Sequence, residues 1–172
     1  YKRQAHVIDQ AVQLFGMPEA VFADIATLRT GGKVDDYFII HLMKPARMPE
    51  VKITLKASYL MCENEPRFVL HGTEGSYVKY GLDPQEADLT KGVLPDTLHW
   101  GEEDESQWGI LHTGKDGNVV RKPYPTLPGN YAAFYENIYQ HIRNGEVLQS
   151  DACGVLGVIR LIEAAWESSR TG

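Results

Sequence analysis

Cysteine is scarce in this chain: only Cys62 and Cys153 occur among 172 residues. They stand far apart, and neither falls in a CxxC or CxxxH spacing. That excludes a disulfide scaffold and a thiolate zinc site, and it predicts two reduced thiols. Long apolar runs are lacking too. A membrane helix needs roughly 20 consecutive apolar residues, and every greasy stretch here is broken by Asp, His, Lys or Gly. No membrane span and no membrane partner is expected. Positive charge is in the minority, with 17 Lys and Arg against 23 Asp and Glu and a formal net charge of −6. Binding a polyanion rests on phosphate-neutralising Lys and Arg in quantity, so no nucleic-acid partner is expected either. There is no GxGxxG after a strand, no GxxxxGK[ST] and no GxSxG elbow, so the chain alone predicts neither a nucleotide site nor a serine nucleophile.

What is present is an average globular composition, 43% hydrophobic and 23% charged, which suits one domain or one half of a larger protein. The chain opens on Tyr1 instead of Met, as a cut fragment would, and its first residues lack an apolar signal core. A cytoplasmic location is therefore expected. Val7, Ile8, Ala11, Val12, Leu14 and Phe15 recur at three-and-four spacing and predict a helix stopped by Gly16 and Pro18. Five candidate strands follow, over 21–28, 36–43, 51–60, 67–72 and 76–80. In the third, Val51, Ile53, Leu55, Ala57 and Tyr59 alternate with Lys52, Thr54, Lys56 and Ser58, placing an apolar and a polar row on opposite faces. The second strand, with Phe38, Ile40 and Leu42 on one side and His41 among Tyr37, Ile39 and Met43 on the other, is placed mid-sheet. Short connections such as Thr73-Glu74-Gly75-Ser76 predict an antiparallel meander.

Asp83-Pro84-Gln85-Glu86 reads as a capping box opening a short helix that Gly92 ends. Residues 93–128 then form a long excursion with four prolines, the acidic run Glu102 to Glu105 and a hairpin signal at Asp116-Gly117. Two helices close the chain, one with Tyr131, Phe134, Ile138 and Ile142 facing a core and ended by Asn144-Gly145. The other begins after Ser150 and carries Val155, Ile159, Ile162 and Trp166. The fold class predicted is α+β, a mostly antiparallel open sheet with helices on one face and the other face available for subunit packing.

Six histidines are present, none at HxH or HxxxH spacing, so no metal site is predicted. His41 and His71 read as cross-strand packing residues, and His99 beside Trp100 as a loop aromatic that packs down. The acidic run reads as a solvated face, because four consecutive carboxylates cannot all converge on one cation. Tyr131, Phe134, Tyr135 and Tyr139 read as core packing with hydroxyls at the rim. His6 differs, since Asp9 follows at i+3 on the same helical face. A carboxylate beside an imidazole holds it in one tautomer, which suits passing a proton near neutral pH. Spacing alone favours a surface or capping role for that pair.

The run His6-Val7-Ile8-Asp9-Gln10-Ala11-Val12-Gln13-Leu14-Phe15-Gly16 resembles the opening helix of the C-terminal domain of the glucose-fructose oxidoreductase/inositol dehydrogenase family, Gfo/Idh/MocA. Val34 to Phe38, His71 to Glu86 and Asn130 to Gly145 match in family order, so the resemblance covers essentially the whole chain. The stretch from Gly72 to Glu86 is similar to the branch of bacterial NADP-dependent scyllo-inositol dehydrogenases and related sugar oxidoreductases. The resemblance implies that residues 1–172 form a single substrate-binding and dimerisation domain, preceded in the parent by an N-terminal Rossmann domain. That domain would carry the glycine-rich loop for NAD or NADP and the family's Glu-Lys-Pro lysine, so this chain alone binds no cofactor and is inactive by itself. The implied partners are a sugar or polyol substrate, that Rossmann domain, and a second copy through the sheet face. It also implies that His6 is catalytic, orienting and deprotonating the substrate hydroxyl as hydride leaves for the nicotinamide. Lys2 departs from the pattern, because it stands where the family has an Asp four residues before the His. A competing expectation follows from Lys2: a non-enzymatic dimerisation or partner-binding module of the same fold. A third is a free-standing small-molecule binding protein.

Overall fold

The computed structural model describes residues 2–95, 97–115 and 118–172. It divides into two compact units, one of Tyr1–Cys62 with Gln149–Gly172, the other of Glu63–Leu148.

The first unit is helix α1 (Lys2–Phe15), strands β1 (Pro18–Ala26), β2 (Tyr37–Pro45) and β3 (Ile53–Ser58), and the last helix of the chain. The strands form an antiparallel sheet in the order β1-β2-β3, with β2 in the middle as the two-sided pattern predicts. Its inner face is Ala23, Phe38, Ile40, Leu42 and Ile53, all buried, with Ile8 and Ala11 of α1 completing one apolar cluster. The predicted alternation of the third strand holds, since Ile53 is buried while Thr54 and Lys56 pair across to His41 and Ile39 on the outer face. β1 ends at Ala26, two residues earlier than predicted. The N–H groups of Leu28 and Arg29 leave the ladder for the carboxylate of buried Asp36, at 2.7 and 3.1 Å.

The second unit is β4 (Phe68–His71), β5 (Gly75–Lys79), α2 (Gln85–Thr90), β6 (Gly109–Lys115), β7 (Asn118–Tyr124) and α3 (Ala132–Asn144). Here the prediction needs correction. The meander is two antiparallel sheets, not one, and the second has the order β4-β5-β6-β7. Within the excursion over 93–128 the expected hairpin is present as β6 and β7, paired from Gly109↔Tyr124 to Lys115↔Asn118, and it occupies most of 109–124. Pro123 concealed the second of these strands; it is tolerated because β7 is an edge. The turn signal itself, Asp116-Gly117, lies outside the described residues.

The capping box at Asp83 is also revised. Asp83 accepts the N–H of Gln85 at 2.9 Å, but it is the Gln85 side chain, not that of Glu86, that turns back onto it. α3 ends as predicted, with Gly145 in the left-handed conformation at φ 72°. Its predicted core stripe is not buried: Tyr131, Phe134 and Ile142 are exposed and Ile138 is half-buried, and Tyr135 and Tyr139 of the aromatic series are exposed as well. The closing helix α4 (Ala152–Thr171) is capped by Asp151, which accepts Gly154 N–H at 2.8 Å, and not by Ser150. Its buried stripe is Val158, Leu161, Ile162 and Ala165, rotated from the predicted one, so Val155 and Ile159 are exposed while Trp166 packs at the edge of the core. The fold class remains α+β, with α1 and α4 on one face of the first sheet.

Candidate functional site

α1 presents its two sides differently because Ile8, fully buried, fixes its rotation. His6 lies two residues before Ile8, about 200° away around the helix, and is exposed, as are Asp9, Gln10 and Gln13. These residues fall at i, i+3, i+4 and i+7, one polar stripe along the helix. A stripe of one imidazole, one carboxylate and two amides can donate to and accept from a ligand rich in hydroxyls. The predicted His6 and Asp9 pair therefore shares a face, although the two are not hydrogen-bonded to each other among the described residues. Lys2 lies one turn earlier, at the first position of the helix.

The remaining histidines divide as the sheets direct. His41 Nδ1 is 3.0 Å from Thr54 Oγ1, and its ring stacks on Phe22 with centroids 6.1 Å apart. His71 Nδ1 is 2.8 Å from Ser76 Oγ. Both are the cross-strand bonds expected of them. His99 does not pack down as expected: its side chain is 68% exposed, its backbone is left-handed at φ 65°, and Nδ1 meets Glu102 at 2.8 Å. The neighbour, Trp100, packs instead and donates Nε1 to Gln85 Oε1 at 2.9 Å.

Sequence reasoning missed three buried polar centres. Gln85, fully buried, gathers Asp83, Trp100 and the N–H of Tyr131. Lys79 Nζ lies 2.6 and 2.7 Å from the two carboxylate oxygens of Glu103 and 2.8 Å from the Gln107 carbonyl. Glu103, read as part of a solvated acidic face, is in fact only 6% exposed at its side chain, whereas Glu102 and Glu105 are exposed. A usable signal was Lys79 on a strand of otherwise apolar and small residues, because a cation enclosed there requires an anion. Burial, and after it the Glu103 charge, raises the phenol of Tyr77 above its usual range. The third centre, Asp36, has its carboxyl held below the usual range, first by the Leu28 N–H and then, against burial, by Arg29. No group of three metal-ligating side chains converges among the described residues. Cys62 and Cys153 are free thiols, and no helix is long and apolar enough to cross a membrane among the described residues.

The described residues do not fit a dinucleotide. Among them every ladder is antiparallel, and β5 leads into α2 through Tyr80 to Pro84 with one glycine in place of a glycine-rich phosphate cradle.

A family model described as the oxidoreductase family, C-terminal alpha/beta domain, matches residues 1–172. The chain is 35% identical over 170 residues to scyllo-inositol 2-dehydrogenase (NADP(+)) IolW of Bacillus subtilis strain 168, covering 99% of this chain and 46% of that relative. A crystal structure from Bacteroides fragilis NCTC 9343, assigned as an oxidoreductase, superposes with a TM-score of 0.93 at 60% identity over 99% of this chain and 51% of that one. The yvaA oxidoreductase structure from Bacillus subtilis gives 0.91 at 35% identity, over 99% and 48%. The chain spans about half the length of the curated relatives it matches.

Proposed function

Because the chain belongs to the Gfo/Idh/MocA oxidoreductase family as its C-terminal alpha/beta domain, we propose that it is the substrate-side half of an NAD(P)-dependent oxidoreductase acting on a sugar, inositol or related polyol. In this reading residues 1–172 are one substrate-binding and self-association domain, and an N-terminal Rossmann domain of the same polypeptide in the cytoplasm brings the NAD or NADP. The observation that carries it is the position of His6, exposed on the side of α1 opposite the buried Ile8. The nicotinamide, held by that Rossmann domain, would supply the hydride acceptor. This chain contributes the base: a ring nitrogen of His6 receives the hydroxyl proton, while Asp9, Gln10 and Gln13 hold neighbouring hydroxyls. Self-association uses the outer face of the first sheet, where the Thr54 and Lys56 row stands beside Phe22, Ile39 and His41.

His6→Ala in the intact parent is expected to lower kcat by about a hundredfold to ten-thousandfold. Unchanged turnover on every polyol that the parent oxidises would remove His6 from the mechanism. Lys2 favours a second reading, a module of the same fold in which catalysis has been lost. Lys2→Asp in the parent separates the two, because a catalytic domain gains turnover from the restored acid and an idle one gains nothing.

A further inference from the structure

The second sheet carries a row of side chains that the oxidoreductase reading does not use. His71 on β4, Ser76 on β5, His112 on β6 and Arg121 on β7 are successive ladder partners, so they stand directly opposite one another on one face. Adjacent members of such a row have Cβ atoms about 5 Å apart. Ser76 is fixed by His71 at 2.8 Å, and His71, His112 and Arg121 are all exposed.

An open depression of about 270 Å³ lies over Ser76 and His112, walled by Glu74 and Val119. On that face the residue two along from His112 is Gly114, which leaves the sheet without a side chain there, while Gly75, whose partner is Thr113, has no substitute: a Cβ would come within 2.5 Å of the His112 carbonyl oxygen. Two residues along each strand, the next row on the same face is apolar, formed by Val69, Val78, Ile110 and Pro123.

We propose that this row is a binding site for an oxyanion, a phosphate monoester or a carboxylate. Arg121 supplies a permanent charge and a planar fork of donors. His112 contributes a ring N–H and Ser76 its hydroxyl, while His71 acts as a positioning residue by holding Ser76. Glu74 sets the polarity of the site. Its carboxylate repels the anionic head, so the head lies toward Arg121 and any hydroxyls of the ligand lie toward Glu74. The site goes beyond the polyol oxidation proposed for His6 and does not depend on it.

The test is equilibrium dialysis of the full-length protein against radiolabelled inorganic phosphate and, in a second arm, radiolabelled D-gluconate, with ionic strength fixed by chloride. Saturable binding of one probe is expected, and which one it is assigns the ligand to phosphates or to carboxylates. Arg121→Met should weaken that binding about tenfold or more, and His112→Asn by a smaller factor. Glu74→Gln should tighten it, an opposite sign that general charge attraction to the surface does not produce. Lys122→Met, on the other face of β7, should leave it unchanged. The site is overturned if neither probe saturates, if binding survives both Arg121→Met and His112→Asn, or if Lys122→Met costs as much as Arg121→Met. Should one variant fail to fold, the other three still decide the matter, and dehydrogenase activity enters none of the readings.

Discussion

The two units are held together by different physics. In Tyr1–Cys62 with Gln149–Gly172, a sheet and two helices bury eleven apolar side chains in one cluster around Ile8 and Ile40. In Glu63–Leu148 no apolar side chain is buried among the described residues. That unit relies on its strand ladders and on two enclosed polar centres, Gln85 and the Lys79 and Glu103 pair. Apolar cores tolerate modest changes of shape, whereas enclosed charges and amides tolerate almost none, because each lost partner leaves a desolvated group behind. The second unit is thus the more brittle in chemistry, although both units carry apolar side chains on their surfaces, such as Val155 and Ile159 in the first and Phe134, Tyr135 and Ile142 in the second.

The largest break should come from Lys79→Met, which strands Glu103 without a counter-charge. Such a removal costs about 3 to 5 kcal/mol, and it should show as a lower denaturation midpoint and faster amide exchange at β5 and β6. Adding Glu103→Leu should recover much of the loss, since exchanging both partners for apolar groups is often neutral. A double variant no better than the single one would mean that Glu103 is not enclosed as described. Ile40→Ala applies the same pressure to the first unit and should cost about 2 to 5 kcal/mol, read in amide exchange at β1 to β3. There no single second substitution should rescue it, because a cavity has many walls.

This contrast also explains what was legible in the sequence. Alternation along Val51 to Tyr59 and the two-sided pattern of Tyr37 to Met43 reported the first sheet correctly, because an apolar core writes itself as periodicity. The second sheet is half polar on both faces and has Pro123 in an edge strand, so β6 and β7 carried no such periodicity and only the hairpin signal at Asp116-Gly117 marked them. The stripes of α3 and α4 show the opposite failure. Tyr131, Phe134, Val155 and Ile159 have helical spacing, yet spacing reports only that a face is apolar, not that this chain covers it. The site was legible to the extent that His6 could be placed on α1 opposite the core. Its role came from resemblance and not from spacing.

An intermediate effect is expected at Asp36, where the first unit borrows the second unit's device of a buried polar centre. Its folded carboxyl sits below the ordinary value of 3.8, held first by the Leu28 N–H. A group with a depressed folded pKa contributes stability that is complete above the unfolded pKa and is lost as pH falls through the folded one. Acid unfolding should therefore include a limb below about pH 4 that Asp36→Asn removes, while the variant is also less stable at neutral pH because Arg29 loses its ion pair at 2.7 Å. An acid limb unchanged in Asp36→Asn would assign it to other carboxylates.

The smallest expected effect tests whether the first unit depends on polar contacts at its border as well as on its core. β1 is an edge strand, and its outward N–H groups at Ala23 and Ile25 are taken by the hydroxyls of Ser168 and Ser169 on α4, at 3.1 and 2.9 Å. A helix thus covers an edge that could otherwise pair with another chain. Ser169→Ala removes one of these bonds and should cost about 1 kcal/mol, a loss small enough that the core around Ile40 stays intact. Its clearer signature is local: amide exchange at Ile25 should accelerate while exchange at Ile40 and Leu42 does not. Faster exchange throughout β1 to β3 would mean that the serine contacts and the apolar cluster form one cooperative unit, and the distinction between border and core would not hold for this sheet.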